Sequence, residues 1–233
     1  MFNFKYFSVK QSDSAMKVGT DSMLLGAFVD VKHNLKGLDI GSGTGVLSLM
    51  VAQKNSQIEI DAIEIDSLAS IECSYNFEQS AWSDRLQCYN QDFIDFHSNQ
   101  KYDLIFSNPP YYTTTKYNDD LRRTAARHEE SLPIKLLLDN AQKHLSINGV
   151  VWLILPYPDF EKWNSIARDF GLFCSTKIQI KGKENKKPNR VIASFSRSEY
   201  PVKTENFVLR NDDNSYTDEY ISLTKEFHGV RLK

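Results

Sequence analysis

The chain has 233 residues, of which 41% are hydrophobic and 25% are charged, and its formal net charge is −2. These values are ordinary for an enzyme of one domain that buries a sizeable core, and they restrict any nucleic-acid-binding surface to a local patch. No stretch is long enough to span a bilayer and the N-terminus lacks the apolar segment of a signal peptide, so we expect a cytoplasmic protein with no membrane partner.

Three cysteines, Cys73, Cys88 and Cys174, are scattered along the chain without a Cys-x-x-Cys pair. None has a histidine nearby at metal-ligand spacing. We therefore expect buried free thiols and no metal.

Strand-like and helix-like runs alternate from residue 36 to residue 155, which predicts a parallel sheet covered by helices. Strands are predicted at 36–41, 58–65, 84–90, 102–107 and 148–155, and helices near 21–31, 45–54, 67–80, 132–146 and 157–170. Asn148-Gly149 is predicted to end the helix at 132–146, and the strand that follows is predicted to be central. Farther on, the runs 175–180 and 191–196 predict an antiparallel hairpin.

The fold class that we predict is α/β, a Rossmann-like arrangement with a mainly parallel seven-stranded sheet, helices on both faces and a C-terminal antiparallel hairpin. We expect one domain, with an N-terminal segment at 1–35, a cofactor-binding core at 36–170 and a C-terminal extension at 171–233.

A glycine-rich turn follows the first predicted strand, in the run Leu38-Asp39-Ile40-Gly41-Ser42-Gly43-Thr44-Gly45. Glycines allow close backbone approach and positive φ, and the helix that follows offers unpaired N–H groups to a ligand. The second strand leads into an acid about twenty residues later, where a carboxylate can accept from ribose hydroxyls. The glycine spacing is not the dinucleotide fingerprint and no P-loop lysine follows, which argues against NAD and ATP. Taken alone, the turn is also compatible with a simple strand–helix connection.

Asn108-Pro109-Pro110-Tyr111 follows the apolar strand at 102–107. Two prolines have fixed φ and no N–H, so they make a rigid turn whose carbonyls are free to accept. The side-chain oxygen of Asn108 and the carbonyl of Pro109 can both accept from one –NH2 group, and Tyr111 offers a flat face to a planar substrate. The alternative is that these prolines only end a strand.

The motifs are predicted to converge on one edge of the sheet. In open parallel sheets, ligands bind beyond the carboxyl ends of the strands where the strand order reverses. The glycine turn, Glu64, Asp92 and Asn108 all lie at such ends.

With these motifs in this order, nearly the whole chain resembles the class I S-adenosylmethionine-dependent methyltransferases, and among them the amino-methyltransferases with Asn-Pro-Pro-Tyr after the fourth strand. The resemblance implies that S-adenosylmethionine is the cofactor. It implies that the methionine moiety is lined by Asp39, Gly41, Gly43 and Gly45, that Glu64 holds the ribose, and that Asp92 with Phe93 meets the adenine ring. The segment Lys17-Val18-Gly19-Thr20-Asp21 resembles the one that closes over the cofactor. Thr20 or Asp21 can also be interpreted as a helix cap.

Two basic segments are candidates for substrate contact. Between Lys177 and Arg190 the hairpin has six basic residues and one acidic residue, which suits either a phosphate-binding tip or a solvated loop; its candidates are Lys183, Lys186, Lys187 and Arg190. The loop at 112–129 is long and polar, and its Arg122, Arg123, Arg127 and His128 can bind phosphate, stack on a base or pair at the start of the next helix.

Asn-Pro-Pro-Tyr followed by an Arg-x-x-Ala-Arg-His-Glu pattern resembles the bacterial tRNA1(Val) adenine methyltransferases, which modify the exocyclic nitrogen of adenine 37. Segments 4–27 and 216–227 share this likeness. The resemblance implies a tRNA partner, and we expect a monomer.

Other functions remain open from sequence. Protein-glutamine methyltransferases of release factors share Asn-Pro-Pro-Tyr but usually have a helical N-terminal domain, and here only about 35 residues precede the first strand. DNA adenine methyltransferases normally need a larger recognition region than the C-terminal 60 residues offer. A non-catalytic cofactor- or RNA-binding module is distinguished from all of these by its failure to turn over the cofactor.

Overall fold

A computed structural model describes residues 1–12, 14, 17–31, 33, 35–110 and 133–229. The strands are β1 (Phe2–Asn3), β2 (Ser8–Val9), β3 (Lys36–Ile40), β4 (Glu59–Glu64), β5 (Leu86–Asn90), β6 (Tyr102–Ser107), β7 (Leu145–Pro156), β8 (Phe173–Lys183), β9 (Arg190–Ser196) and β10 (Lys203–Arg210). The helices are α1 (Thr20–Phe28), α2 (Val46–Lys54), α3 (Ser67–Glu78), α4 (Ile134–His144), α5 (Phe160–Asp169) and α6 (Asp218–Thr224), with short 3-10 turns at Ser83–Arg85, Phe93–Asp95 and Tyr157–Asp159.

The main sheet has eight strands in the order β10-β8-β9-β7-β6-β3-β4-β5. All neighbouring strands are parallel except where β9 pairs with β7 and β8. The strand order reverses between β3 and β6, which is where ligands bind in sheets of this kind. The predicted fold class is confirmed, β7 is central as predicted, and β10 is one strand more than the sequence predicted.

The core lies on both faces of the sheet. Along β6, Leu104 and Phe106 belong to one buried cluster and Ile105 to the other, because successive side chains of a strand point to opposite faces. A strand buried on both sides reads as a continuous apolar run. That is why β3, β6 and β7 were recognisable from sequence.

The prediction that Asn148-Gly149 ends a helix is wrong. The helix ends at His144, and β7 begins at Leu145. Tyr102 pairs with Leu145 whereas Leu104 pairs with Val150, so the Asn-Gly pair lies in a bulged part of β7. A Cβ at Gly149 would lie 2.8 Å from the Tyr102 carbonyl oxygen, so the bulge requires glycine there.

The hairpin strands are longer than predicted, and only residues 184–189 form the tip. Lys183 ends β8 and Arg190 begins β9, so both lie in strands. The adjoining strand β10 was missed because Phe207 is its only buried residue, which leaves little apolar alternation.

All three cysteines are free and buried, as predicted. Within the described part of the chain, no helix is both long and apolar enough to cross a membrane.

Candidate active site

The glycine-rich turn joins β3 to α2 and is the centre of the site. Gly41, Gly43 and Gly45 have φ values of 68°, 54° and 78°, which L side chains rarely adopt. A Cβ at Gly41 would have nothing within 4 Å, and one at Gly43 would have only the hydroxyl of Ser14, at 3.8 Å. The turn therefore leaves open space into which a ligand can approach the backbone.

The N-terminus of α2 faces this space without a side-chain cap. Gly45 is its N-cap residue and makes no side-chain hydrogen bond. The N–H groups of a first helical turn lack intrahelical partners and favour polar or anionic ligand atoms. A Cβ at Gly45 would lie 2.6 Å from the Phe77 ring, so this glycine also allows α2 to pack against α3.

Asp39 lies beneath the turn, at the end of β3, and is fully buried. Its Oδ2 accepts a hydrogen bond of 2.7 Å from Ser48, whereas Oδ1 has no partner among the described residues. Burial raises the pKa of Asp39 to about 7, although the Ser48 bond acts in the opposite direction. A buried carboxylate oxygen without a donor is costly, and a cationic group at this point of the site would stabilise its ionised form.

Glu64 ends β4 and is buried beside the turn. Its Oε2 accepts from the Gly43 N–H at 2.7 Å, and its Oε1 accepts from the Asp66 N–H at 2.9 Å. A carboxylate offers about four acceptor sites, so each oxygen retains capacity for a ribose hydroxyl. In the structure Glu64 thus holds the glycine turn in shape, and its predicted contact with the ribose stays a prediction.

Asp92 and Phe93 follow β5 but do not act alike. Asp92 accepts a 2.9 Å hydrogen bond from the Ile94 N–H and so caps the short 3-10 turn. Phe93 is 4% exposed, and its ring packs 5.9 Å from the ring of His144 in the core. The Phe93 side chain therefore offers no open face, and any contact with adenine at this position would use its backbone.

Asn108, Pro109 and Pro110 follow β6 directly, next to the carboxyl end of β3. Asn108 is partly buried, Pro109 is buried and Pro110 is exposed. The Asn108 Nδ2 donates to the Ser22 hydroxyl of α1 over 3.4 Å. That contact uses the amide nitrogen as a donor. An amine of the substrate would donate its hydrogen bond to the amide oxygen instead.

Lys17 is exposed and donates to backbone carbonyls of its own segment. Its acceptors are the carbonyls of Gln11, Ser12 and Ser14, the last two at 3.1 and 2.9 Å. In the described structure Lys17 therefore stabilises the loop that precedes α1. Its predicted contact with the cofactor remains a prediction.

The interpretation that Thr20 or Asp21 caps α1 is wrong. The N-cap residue is Gly19, and no side chain caps the helix. Thr20 is exposed at the first helical position, and Asp21 instead accepts from Arg190 Nε at 3.0 Å.

The segment before α1 is fixed to α3 by two buried polar side chains that sequence reasoning missed. Glu72 accepts from the N–H groups of Ser12 and Ser14 at 2.7 and 2.9 Å. Asn76 accepts from the Lys10 N–H and donates to the Lys10 carbonyl and to the Thr44 carbonyl in the glycine turn. A polar residue inside an apolar helix pattern is the signal that could have identified them.

The basic hairpin lies at the same edge of the sheet as the glycine turn. Arg190 pairs with Pro156 at the carboxyl end of β7, so the tip at 184–189 projects beyond that edge. Lys186 and Lys187 are exposed on the tip, and Lys183 donates to the Asp212 carbonyl at 2.9 Å. The topology thus brings the hairpin candidates towards the site.

The remaining candidates, Tyr111, Arg122, Arg123, Arg127 and His128, lie outside the described residues. Their predicted roles stay predictions.

Comparisons with known proteins agree with this geometry. The model of the family "Methyltransferase small domain" matches residues 6–159. Over 231 residues the chain is 41% identical to a tRNA1(Val) (adenine(37)-N6)-methyltransferase from Flavobacterium psychrophilum. The match covers 98% of this chain and 99% of the relative.

Two solved structures share the fold. A protein from Agrobacterium tumefaciens, predicted to be an O-methyltransferase, has a TM-score of 0.67 at 14% identity, covering 89% of this chain and 96% of its own. A methyltransferase from Pyrococcus furiosus has a TM-score of 0.60 at 18% identity, covering 82% and 89%. The fold, the glycine turn and the full-length relative lead to one conclusion: the chain belongs to the methyltransferase small domain family and, within it, to the tRNA1(Val) (adenine(37)-N6)-methyltransferases.

Proposed function

We propose that this protein transfers the methyl group of S-adenosylmethionine to the exocyclic N6 amine of adenine 37 in tRNA1(Val). The observation that carries the proposal is Asn108, an amide at the carboxyl end of β6 beside the glycine turn at the end of β3. The relative from Flavobacterium psychrophilum, similar over nearly its full length, supports the choice of substrate.

The residues around the turn fit the cofactor. When bound, S-adenosylmethionine supplies a methyl group already activated by its sulfonium. Gly41 and Gly43 leave space for close backbone approach, Asp39 has a buried oxygen without a partner among the described residues, and Glu64 retains acceptor capacity. The protein's remaining task is to position the amine in line with that methyl group.

Asn108 would prepare the amine for attack. The lone pair of an aromatic amine is delocalised into the ring, so the nitrogen is a poor nucleophile while it stays planar. Hydrogen bonds from its two N–H groups to the Asn108 oxygen and the Pro109 carbonyl draw it towards tetrahedral geometry. The methylated nitrogen then loses a proton to water, because a protonated aromatic amine is acidic, and no strong general base is needed.

The adenine must leave its stack to reach Asn108. Bases in RNA loops can be splayed out and held on aromatic or guanidinium planes. Tyr111 is the predicted platform, and base stacking on such a ring is typically worth ~1–3 kcal/mol. The position of the hairpin beside Pro156 supports contact with the RNA around the flipped base.

The test is methyl transfer from labelled S-adenosylmethionine to total tRNA from a strain that lacks the homologous gene. Recombinant release factor is assayed in parallel. The labelled tRNA is isolated, and its nuclease fragments and nucleosides are identified by mass spectrometry. We expect N6-methyladenosine at position 37 of a valine tRNA. Label on the release factor alone would reassign the enzyme to glutamine methylation, and no label on either would leave a non-catalytic module.

A further inference from the structure

Arg210, the last residue of β10, lies on a stack of aromatic rings. Its guanidinium carbon is 4.1 Å from the centroid of the Tyr216 ring, and Tyr216 in turn stacks on Tyr220 at 4.4 Å and 12°. Arg210 Nη1 also donates to the Asn214 carbonyl at 2.6 Å. The Tyr216 ring and the Asn214 carbonyl together restrain the guanidinium group, and Tyr220 stacks on Tyr216.

This stack lies at the same edge of the sheet as the site. Arg210 pairs with Lys183 in the parallel register of β10 and β8, so it lies at the carboxyl end, as Asn108 does on β6. Four strand spacings separate β10 from β6, which is about 19 Å at ~4.8 Å per spacing. At ~3.4 Å per stacked nucleotide, that distance corresponds to about five or six nucleotides.

Arg210 has charged neighbours of both signs, and its position over an aromatic ring favours a base over a phosphate as its partner. Asp212 and Asp213 are exposed in the adjacent turn, and Asp213 accepts from the Ser215 N–H and hydroxyl at 2.9 and 2.6 Å. Lys183 is the register partner of Arg210, so two cations stand against two carboxylates here and the local charge does not single out a phosphate. A guanidinium over a ring is suited to stacking on a base, which arginine does and lysine does not.

We propose that Arg210, held over the Tyr216 ring, stacks on an unpaired base of the substrate RNA, on a strand about 19 Å along the sheet from the one that ends at Asn108. The proposal rests on the proposed function, because it needs an RNA substrate. It extends the RNA surface beyond the hairpin to the edge strand, and it assigns a base contact to a residue that lies far from the chemistry.

The test compares Arg210→Lys with Arg210→Gln and with Lys203→Gln. Lys203 is the matched control, because it begins the same strand at the opposite edge and is exposed, with its partner Glu205 nearby. For each variant we would measure tRNA affinity over a range of salt concentrations, cofactor affinity, and kcat at saturating tRNA.

Arg210→Lys keeps the positive charge but removes the planar guanidinium group. We therefore expect tRNA affinity to fall on the order of tenfold, with the same dependence of affinity on salt concentration. KM for tRNA should rise while kcat and cofactor affinity stay the same, and Lys203→Gln should match the parent. Tyr216→Leu removes the support under Arg210 and should reproduce the loss.

The stacking proposal is overturned if Arg210→Lys binds tRNA as the parent does. It is also overturned if only Arg210→Gln is impaired and its salt slope falls by about one, because that pattern identifies a phosphate contact. A failure of the proposed function is distinguishable, since the parent protein would then not methylate tRNA at all.

Discussion

Glu64 and Gly43 are joined by a hydrogen bond of 2.7 Å between the carboxylate and the backbone N–H. The residue predicted to hold the ribose therefore also shapes the turn predicted to hold the methionine moiety. Two parts of the cofactor site, which are 21 positions apart in the chain, depend on one buried side chain.

Glu64→Gln should weaken cofactor binding tenfold or more, because hydrogen bonds to a charged acceptor contribute about 1.5–3 kcal/mol. The glutamine has one carbonyl oxygen, whereas Gly43 and Asp66 each donate to a separate oxygen of Glu64. Calorimetric titration with S-adenosylmethionine measures the effect. Glu59→Gln, at the exposed start of the same strand, is the control, and equal affinity in Glu64→Gln would contradict the assignment.

Asn108→Ala should reduce kcat at least a hundredfold while cofactor affinity stays within about twofold, because the amide is proposed to act on the amine and not on the methyl donor. Single-turnover methylation of tRNA measures the first quantity and calorimetry the second. Ser107→Ala is the matched control. It removes a buried 2.6 Å hydrogen bond to the Ile40 carbonyl and should lower stability by about 1 kcal/mol without a comparable loss of kcat. Loss of cofactor affinity in Asn108→Ala would refute the clamp.

Cofactor affinity should rise with pH between about 5 and 8 if Asp39 faces the amino group of the methionine moiety. Burial raises the pKa of Asp39 from 3.8 to about 7, and the charges of Cys88 and Glu64 act in the same direction. Below about pH 7 the protonated form is therefore favoured in the unliganded protein. The contribution of Asp39 to stability is present below about pH 4 and is lost as pH rises through about 7. A cationic ligand favours the ionised form, so its binding releases a proton below pH 7.

Titrations across this range measure the profile, and Asp39→Asn should flatten it. Cys88 needs a control of its own, because hydrogen bonding, chiefly with Cys73, lowers its pKa to about 7. Cys88→Ser should keep the pH dependence. A flat profile in the parent protein would place the amino group away from Asp39.

Glu72→Gln should weaken cofactor binding several-fold through the N-terminal segment, which Glu72 fixes by accepting from Ser12 and Ser14. The readouts are KM for S-adenosylmethionine, which should rise while kcat changes little, and the rate of proteolysis before α1, which should increase. Glu78→Gln, an exposed change on the same helix, should alter neither. Unchanged proteolysis in Glu72→Gln would show that the segment is held by other contacts.

Sequence reasoning predicted the parts of the candidate site that are local in the chain. The glycine turn, Glu64 and Asn108 were recognisable because each follows an apolar strand directly, and strand ends meet at one edge. The contacts of Arg190 with Asp21 and of Glu72 with Ser12 were not predictable, since they join residues 169 and 60 positions apart. Phe93 was predicted to contact the adenine, but the presence of a phenylalanine does not show whether its ring packs in the core or faces a ligand.

Asp21 and Ser22, two successive residues of α1, connect the hairpin to Asn108. Asp21 is bound to Arg190 at the base of the hairpin, and the next residue, Ser22, contacts Asn108. Both residues belong to one short helix that is buried over much of its length, so the base of the hairpin and Asn108 contact the same secondary-structure element. If the hairpin binds RNA as proposed, binding energy gained there helps to orient the amide, and an RNA that lacks the hairpin contact should lose rate as well as affinity.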